Sequence, residues 1–404
     1  MTGGKIGNVD LVKQLNGAAV YRLIDQQGPI SRIQIADVSR LAPASVTKIT
    51  RQLLERGLIK EVAQQASTGG RRAISLTTEC VPFHTLAVRL GRHFIELSLY
   101  DLSGASLAEH GETFHYQDQD QLVKGLIDIV SQFIDTHQHA IRELIAISVV
   151  MPGLVDPDTG VVEYMPNINI QQLALADTLR DEFGVQAFVG NDIRGQALAE
   201  HYFGASQDYY DSMLVSVHHG TGAGIIVNGQ IFLGHNRNVG ELGHVQIDPL
   251  GKKCQCGNFG CLETVASNEA IIEHAQQLLA QGHPSSLTHD QTLTIEAICQ
   301  AAEQGDELAR QVLVKVGNHL GKAIAMTVNL FNPQLVVIAG KITAAKSVVF
   351  PAIERCVENQ SLPSFHQKLA IVSADLQTQP TMAAFALVKR AMLNGELLQQ
   401  LLEE

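Results

Sequence analysis

The sequence predicts an α/β protein in which a small N-terminal winged helix-turn-helix precedes a large two-lobed body with a metal-binding loop. Three observations lead to this prediction: the distribution of charge, the alternation of strand and helix patterns after residue 82, and three cysteines that closely follow one histidine. The chain has 404 residues and a net charge of −12, yet residues 1–82 contain eleven Lys/Arg and six Asp/Glu. A basic head on an acidic body is typical of a DNA-binding module joined to a sensing or enzymatic one.

Three short helices are predicted in the head. The first spans about residues 16–27, where apolar side chains recur at helical spacing. The second follows Ser31, a candidate N-cap, and the third runs from about Pro43 to Arg56, where Gly57 ends it. We expect the third helix to enter the DNA major groove. Its candidate DNA contacts are Ser45, Thr47, Lys48 and Arg51.

A wing is predicted after the third helix. Two strand-like stretches, at about residues 58–59 and 73–76, flank a polar turn that ends in Gly69-Gly70-Arg71-Arg72. Arg71 and Arg72 on such a flexible tip would reach the minor groove or a phosphate. The alternatives are a plain three-helix bundle and a solvated loop. The helix order, the wing and the local charge favour a DNA-binding domain over residues 1–82.

The body, residues 83–404, is predicted to contain two α/β lobes, at about 83–190 and 191–390, and a C-terminal helix. Strand patterns recur with helices between them, which indicates layered α/β structure. The C-terminal segment 381–404 carries an apolar stripe, so it would pack on the head or on a partner subunit, with a plain surface helix as the alternative. Predicted strands cover about residues 85–100 (two strands around a turn), 144–150, 187–190, 213–217, 225–227 and 335–338, and predicted helices about 122–137 and 192–199.

Polar residues after the predicted lobe boundary are candidates for a sugar site. Asp192 directly follows a predicted strand, where a carboxylate can act as a general base on a sugar hydroxyl. The predicted turn GTGAG, Gly220–Gly224, could approach a phosphate through backbone amides, although such turns between strands are common. Glu241, His244 and Glu263 bracket the cysteine-rich loop and could hydrogen-bond sugar hydroxyls. For each residue a purely structural role is the alternative.

The cysteine-rich loop predicts a metal site. Cys254, Cys256 and Cys261 follow His244, and three thiolates with one imidazole form a closed tetrahedral shell for Zn²⁺. With four protein ligands and no open position, the ion would be structural. The alternative is buried or disulfide-bonded cysteines. Disulfides are disfavoured because the N-terminus has no signal-peptide pattern, and with no stretch long enough to span a bilayer we expect a cytoplasmic protein.

Six motifs of the body match one family: PGLVD (152–156), GND (190–192), GTGAG (220–224), GELGH (240–244), CQCGNFGCLE (254–263) and NLFNPQLVVIAG (329–340). They resemble the ROK family, which groups bacterial sugar kinases with sugar-responsive repressors. The resemblance implies a two-lobed actin-like/hexokinase-like ATPase fold with a zinc-bound loop. It implies the zinc ligands His244, Cys254, Cys256 and Cys261. It also implies sugar-pocket positions, with Asp192 as the kinase base position: Asn167, Asn191, Asp192, Glu241, His244 and Glu263.

One departure from the family favours a repressor over a kinase. Family kinases hold ATP phosphates with an Asp-x-Gly-Gly-Thr loop, but here Arg89, Arg92 and His93 replace the Asp, the second Gly and the Thr. Bulky side chains prevent close approach of the backbone to a phosphate, and the acidic partner for hydrated Mg²⁺ is absent. The late Gly-Gly of the kinases likewise reads Gly340-Lys341. We therefore predict a protein that is not an enzyme and has no catalytic residues, with a sugar kinase as the less favoured alternative.

The N-terminal winged helix-turn-helix is what places the chain with the family's repressors. The head and the late MTVNLFNPQ segment resemble most the glucose-responsive repressors of phosphotransferase-system genes. That resemblance implies induction by the dephosphorylated B domain of the glucose transporter, which draws the repressor off DNA. The alternative is similarity to the N-acetylglucosamine repressors, which implies induction by a sugar phosphate in the cleft. In both cases we expect a homodimer or homotetramer on a pseudo-palindromic operator.

Overall fold

The computed structural model describes residues 9–63, 74–166, 168–288 and 292–403. The chain divides into two compact units: Met1–Gly190 with Ala384–Glu404, and Asn191–Ala383. The predicted domain boundary at residue 82 therefore falls within the first unit, which combines the head, the first lobe and the C-terminal segment. Within the described parts of the chain, no helix has the length and apolar character needed to cross a membrane.

The head has the helices and the winged sheet that the sequence predicts. Its sheet has the antiparallel order β1-β3-β2. The first helix begins at Val9, earlier than the predicted start at about residue 16. The helices are α1 (Val9–Gln27), α2 (Arg32–Ser39) and α3 (Pro43–Glu55), and the strands are β1 (Ile30–Ser31), β2 (Ile59–Ala63) and β3 (Ile74–Thr78).

The start of α2 follows from its local sequence. Ser31 is the N-cap, and its hydroxyl accepts a hydrogen bond from the Gln34 backbone N–H while the Gln34 side chain binds the Ser31 backbone N–H. This capping box satisfies two backbone donors at the helix start. Only Ile35 and Ala36 of α2 are buried, whereas Ile33 is 75% exposed. The apolar pattern of this helix therefore overstates its buried face.

The first lobe contains a five-stranded sheet of order β11-β7-β4-β5-β6 and a small sheet of order β10-β9-β8. Strands β4 and β7 are parallel, while β4, β5 and β6 form an antiparallel meander. The buried core lies between the large sheet and the two helices. The elements are β4 (Phe83–Leu90), β5 (Phe94–Asp101), β6 (Ser106–Thr113), α4 (Gln119–His137), β7 (Glu143–Met151), β8 (Leu154–Val155), β9 (Val161–Tyr164), β10 (Leu173–Ala174), α5 (Leu175–Phe183) and β11 (Gln186–Asn191).

The second lobe repeats this arrangement with a five-stranded sheet of order β14-β13-β12-β15-β16. An antiparallel meander, β12-β13-β14, is again followed by parallel strands, β15 and β16. Two short 3-10 helices, Leu242–His244 and Lys341–Ala345, lie between the longer elements. The elements are α6 (Asp192–Phe203), β12 (Ser212–Val217), β13 (Thr221–Val227), β14 (Gln230–Ile231), α7 (Glu263–Ala266), α8 (Asn268–Ala280), α9 (Ile295–Glu303), α10 (Glu307–Phe331), β15 (Leu335–Ala339), α11 (Lys346–Gln360), α12 (Pro363–His366) and β16 (Ala370–Ser373).

The GTGAG motif is not the turn that the sequence predicts. Strand β13 begins at Thr221, so most of the motif pairs with β12, from Val217↔Thr221 onward. On the other side of the strand, the Ala223 backbone N–H donates to the Gly240 carbonyl at 2.7 Å. The prediction of a turn over the whole of Gly220–Gly224 is therefore wrong, because the motif is strand from Thr221 onward.

The C-terminal segment forms two helices rather than one, α13 (Met382–Leu393) and α14 (Glu396–Glu403). Gly395 has a φ of +88° and separates them. The segment packs on the head, which was one of the two expected positions. Lys389 forms an ion pair with Asp25 of α1 at 2.6 Å, with side-chain exposures of 12% and 13%. Arg22 donates to the Leu393 carbonyl at 2.7 Å, and α14 packs against α1.

Candidate functional site

The exposed face of α3 is the candidate DNA-binding surface. Thr47, Lys48 and Arg51 are exposed on one side of the helix, and Ser45 is half-buried beside them. The opposite side, with Val46 and Leu53, is fully buried. Helix spacing therefore presents three of the four predicted contacts to solvent.

Two further predicted contacts, Arg71 and Arg72, lie outside the described residues. On α3, Arg51 forms a long ion pair with Glu55, at 3.8 Å between Nε and Oε1. Since both side chains are 69% exposed, this pair is weak and leaves the guanidinium available to a ligand. A planar guanidinium on the exposed face of such a helix can bind a guanine edge or a phosphate.

The four predicted metal ligands lie together. The ligand atoms of His244, Cys254, Cys256 and Cys261 are all within 4.8 Å of one another. His244 Nδ1 is 3.6 Å from Cys254 Sγ, and the sulfurs of Cys256 and Cys261 are 3.7 Å apart. Zn–S bonds of about 2.3 Å and Zn–N bonds of about 2.0 Å in a tetrahedron place neighbouring ligand atoms roughly 3.5–3.8 Å apart. The residues present therefore fit a tetrahedral zinc ion.

The loop conformation depends on backbone contacts that only small residues permit. Gly260 has a φ of +64°, and an added Cβ there would lie 1.5 Å from the Asp248 carbonyl oxygen. The Cys254 backbone N–H donates to the Asn258 carbonyl at 2.7 Å, which folds the intervening residues into a tight turn. This turn brings the second and third sulfur atoms toward the first.

Two of the thiols, Cys256 and Cys261, differ in acidity. A hydrogen bond from the Asn258 backbone lowers the pKa of Cys256, whereas burial and the neighbouring sulfurs raise the pKa of Cys261 to about 12. Three thiolates this close repel one another when no cation is present. A cluster of this kind takes up a divalent metal with release of protons.

Carboxylates of the second lobe gather near one buried arginine. Arg194 is 6% exposed, and burial lowers the pKa of its guanidinium, while the nearby charges of Glu241 and Asp192 act in the opposite direction. Its guanidinium donates to the Asn238 side-chain oxygen at 3.0 Å and to the Arg237 carbonyl. Sequence reasoning missed Arg194. The available signal was a basic residue three positions after Asn191, one turn into a helix that begins with the candidate site residue Asp192.

Asn191 and Asp192 owe their positions to the junction of strand β11 with helix α6. Asn191 is the N-cap of α6, and its side-chain oxygen accepts from the Arg194 backbone N–H at 3.0 Å. Asp192 is the first residue of the helix and accepts from the Ile193 backbone N–H. The chain reversal at this junction leaves both side chains half-buried, as expected of residues that line a binding site.

Glu263 reaches the turn between β12 and β13. Its Oε2 atom would be 2.9 Å from a Cβ added at Gly220, so the turn and the carboxylate are neighbours. The cysteine-rich loop packs on the same strand, since a Cβ at Gly243 would lie 2.1 Å from the Thr221 carbonyl oxygen. The structure thus places Glu263 beside the hairpin and the cysteine-rich loop against it. Asn167, the remaining predicted sugar contact, lies outside the described residues.

The hairpin that corresponds to the kinase ATP loop is filled by its own side chains. Arg89 forms an ion pair with Glu96 at 2.9 Å, and its guanidinium carbon lies 4.9 Å from the Phe94 ring centroid. The Phe94 ring occupies the space beside Gly91, where an added Cβ would be 2.1 Å from a ring atom. A cation therefore stands at the position of the acid in the resembling kinase loop, and an aromatic ring fills the space beside Gly91.

A winged head, two lobes of repeated topology and a cysteine-rich loop together define a DNA-binding regulator built on a sugar-kinase-like body. The chain belongs to the ROK family, whose profile matches residues 85–391. The MarR family profile matches residues 18–65, within the winged head.

Among curated proteins, the DNA-binding transcriptional dual regulator NagC of Escherichia coli K12 is 60% identical over 399 residues, covering 99% of this chain and 98% of NagC. The DNA-binding transcriptional repressor Mlc of the same organism is 40% identical over 399 residues, covering 98% of both chains. A crystal structure of a ROK family transcriptional regulator, a homologue of the E. coli Mlc protein, is 44% identical with a TM-score of 0.93, covering 98% of this chain and 100% of that one. The prediction of greatest similarity to the glucose-responsive repressors is therefore wrong, since NagC is more similar than Mlc.

Proposed function

We propose that this protein is a DNA-binding transcriptional repressor that releases its operator when a phosphorylated N-acetylated amino sugar binds the body. The observation that carries the proposal is the 60% identity, over nearly the whole chain, to proteins named N-acetylglucosamine repressor and NagC. Both the head and the body take part in this similarity, so it bears on DNA binding and on the signal together. The better-supported effector is thus a sugar phosphate rather than the glucose-transporter B domain.

The head would bind operator DNA through α3. The exposed positions of Thr47, Lys48 and Arg51 support this assignment. Two heads of a homo-oligomer would occupy the two halves of a pseudo-palindromic operator, because two-fold protein symmetry matches two-fold DNA symmetry. Arg71 and Arg72 remain predicted wing contacts.

The second lobe would hold the hydroxyl groups of the sugar. Carboxylates accept hydrogen bonds from hydroxyls, and Asp192, Glu241 and Glu263 supply three of them. Arg194 would offset their charge and hold Asp192 and Glu241 in place, since it lies near both. Asn191 and Asn167 remain predicted contacts of the same pocket.

A structural zinc ion would hold the loop that carries these groups. His244, Cys254, Cys256 and Cys261 would be its ligands, and the ion supplies a rigid cross-link rather than chemistry. The Nδ1 atom of His244 faces the sulfur of Cys254, which leaves Nε2 for a sugar hydroxyl. The metal would thereby set the distance between Glu241 and Glu263 at the two ends of the loop.

We do not expect phosphoryl transfer. The Arg89–Glu96 ion pair and the Phe94 ring support this expectation, because they occupy the hairpin that would approach ATP phosphates. Asp192 then serves as a hydrogen-bond acceptor for the sugar and not as a base.

The direct test is fluorescence anisotropy of full-length protein on a duplex selected in vitro by the wild type. N-acetylglucosamine 6-phosphate, unphosphorylated N-acetylglucosamine, glucose and the dephosphorylated glucose-transporter B domain are added in separate titrations. We expect release only with the sugar phosphate. Release with the B domain alone would replace this proposal by sequestration, and failure to bind any duplex would refute the repressor function.

Arg51→Ala tests the recognition surface. We expect operator affinity to fall by roughly 5- to 100-fold, since a good bidentate contact contributes about 1–3 kcal/mol. Arg180→Ala is the matched control, because Arg180 is also an exposed helical arginine in a local ion pair, with Asp177. Equal affinities of the two variants at one salt concentration would remove Arg51 from the interface.

Asp192→Asn and Glu241→Gln test the effector site. Each should leave operator affinity within a factor of about two and raise the sugar-phosphate concentration needed for release by roughly tenfold, as expected for loss of one charged hydrogen bond of about 1.5 kcal/mol. Glu354→Gln, an exposed glutamate of α11, is the control. Wild-type induction in both site variants would place the effector elsewhere.

A further inference from the structure

Arg32 connects three elements of the winged head: helix α2, the predicted recognition helix α3 and strand β2. It is the first residue of α2. Its Nε atom donates to the Thr50 hydroxyl of α3 at 3.1 Å, and its Nη2 atom donates to Glu61 of β2 at 2.9 Å. The Thr50 hydroxyl in turn donates to the Val46 carbonyl at 2.9 Å, so the acceptor of the Arg32 Nε is itself fixed. The Nε group of the guanidinium is therefore fixed by Thr50, while its Nη2 group binds the Glu61 carboxylate at the protein surface.

Stability alone does not explain this arginine. The ion pair with Glu61 is solvent-accessible, with side-chain exposures of 30% and 43%, and such pairs contribute little to folding. In addition, a cation at the first position of a helix opposes the helix dipole, and α2 has no acidic residue in its first turn to offset it. An anion from outside the protein would take the place of Glu61 at the guanidinium and would be favoured by the positive end of the α2 dipole.

We propose that Arg32 binds a phosphate of the DNA backbone, and that Glu61 is an internal anion that this phosphate displaces. The inference rests on the proposed function as a DNA-binding protein and adds a contact outside the recognition helix. In helix-turn-helix proteins the first helix of the motif crosses the DNA backbone while the second enters the groove, and α2 is that first helix. Arginine suits the role because its fork can keep the Nε bond to Thr50 while both Nη groups turn to phosphate oxygens.

The Arg32–Glu61 ion pair predicts an effect on DNA affinity that a phosphate contact without an internal anion would not have. In the free protein Glu61 occupies the guanidinium and repels an approaching phosphate, so it lowers affinity for any DNA sequence. Removing the Glu61 charge should therefore tighten binding, although Glu61 makes no favourable contact with DNA. Because phosphate contacts do not read bases, the effect should be equal on operator and on unrelated DNA.

The experiment uses full-length Arg32→Gln, Arg32→Lys, Glu61→Gln and the double variant Arg32→Gln/Glu61→Gln, with Arg180→Gln as the charge-matched control. Affinity is measured by anisotropy on a duplex selected by the wild type and on an unrelated duplex of equal length, between 50 and 200 mM salt. These concentrations are about the range over which loss of phosphate contacts is readily seen. Thermal unfolding of each variant checks that the head remains folded.

We expect Arg32→Gln to weaken binding to both duplexes and to reduce the slope of log K against log salt by about 0.9 per head. Arg32→Lys should keep most of that slope, because the charge remains. Glu61→Gln should tighten binding to both duplexes by a few-fold at low salt, roughly as expected for removing one repulsive charge at a surface. In the Arg32→Gln background the Glu61 substitution should have a smaller effect.

Two results would overturn the proposal. An unchanged salt slope in Arg32→Gln would show that Arg32 does not contact a phosphate. Weaker DNA binding by Glu61→Gln would show that the Arg32–Glu61 ion pair only stabilises the head. If Arg32→Gln unfolds, the slope of Arg32→Lys and the sign of the Glu61→Gln effect decide the question. A wild type that binds neither duplex would instead refute the proposed function itself, so the two failures are distinguishable.

Discussion

The hairpins β4–β5 and β12–β13 have the same place in the sheets of the two lobes, yet their contents differ. In the first lobe, Phe94 fills the space beside Gly91, and Arg89 stacks on it and pairs with Glu96. In the second lobe, the turn ends at Gly220, whose nearest neighbour at the Cβ position is the Glu263 carboxylate. Repeated topology therefore does not imply a repeated site.

The difference follows from which side chains meet the turn. An aromatic ring and a paired guanidinium close the first hairpin to a phosphate. The second hairpin keeps small residues, and the Thr221 hydroxyl beside them is buried without a hydrogen-bond partner among the described residues. The cysteine-rich loop packs against this hairpin, and the Glu263 carboxylate lies beside its turn. The first hairpin is thus filled by its own side chains, whereas the second has polar groups beside its turn.

The largest expected effect is on the second hairpin, through its metal-binding loop. Cys261→Ser should abolish zinc binding and lower the free energy of unfolding by on the order of 3–5 kcal/mol, because the loop loses its cross-link. Zinc content by atomic absorption and calorimetry of the purified protein give the two readouts. Cys356→Ser, at a half-buried cysteine outside the cluster, is the control. A stable, repressing Cys261→Ser protein without zinc would show that the hairpin does not depend on the metal.

The second largest expected effect is on the free energy of unfolding when the glycine of either turn is replaced by alanine. Gly91→Ala should lower the free energy of unfolding by about 1–3 kcal/mol, because the new methyl group displaces the Phe94 ring. Gly220→Ala should have a smaller effect, since its Cβ would lie 2.9 Å from Glu263 Oε2, at the end of a flexible side chain. Urea unfolding of both variants measures the difference. Equal losses would mean that both turns are packed alike.

A smaller effect is the pH dependence introduced by His84 at the start of the first hairpin. Burial lowers the pKa of His84, and its Nδ1 accepts the Arg142 backbone N–H at 3.0 Å, which requires the neutral ring. Unfolded protein then binds the proton more readily, so stability falls as the pH drops from about 6.5 through the lowered folded pKa, by at most about 1.4 kcal/mol per pH unit.

His84→Gln should flatten this dependence, because the amide oxygen can accept the same hydrogen bond without titrating. Urea midpoints at pH 7.5 and 5.5 provide the comparison, with exposed His110→Gln as control. If His84→Gln retains the wild-type pH dependence, other buried histidines, such as His201 of the second lobe, are responsible.

The smallest effect concerns Arg89 itself. Arg89→Gln should change stability by only about 0.5–1 kcal/mol, since the ion pair and the contact with Phe94 are partly exposed. It should not produce ATP turnover with a panel of hexoses, because Phe94, Arg92 and His93 still occupy the loop. Coupled nucleotide-turnover assays measure this. Turnover by the wild type would contradict the view that the first hairpin is closed.

The sequence by itself was sufficient for features set by neighbouring residues. The N-cap at Ser31, the exposed face of α3 and the two strands around the first turn of the first lobe depend on local spacing and hydrogen bonds. The clustering of His244, Cys254, Cys256 and Cys261 was also predictable, because the three cysteines lie within eight residues and the glycines between them permit a tight turn. Such features need few distant contacts, so their pattern survives in the linear chain.

Tertiary structure decided whatever depends on residues far apart in the chain. Arg194 can be identified as a candidate site residue only because Asp192 and Glu241 lie near it in the folded protein. Arg32 can be identified as a candidate phosphate contact only because it binds Thr50 and Glu61 there. The GTGAG segment became a strand because β12 supplies its hydrogen-bond partners, and α14 packs on α1 although the two helices lie at opposite ends of the sequence. Long-range pairing outweighs local preference wherever burial and hydrogen bonding to a distant element contribute more free energy than the local pattern.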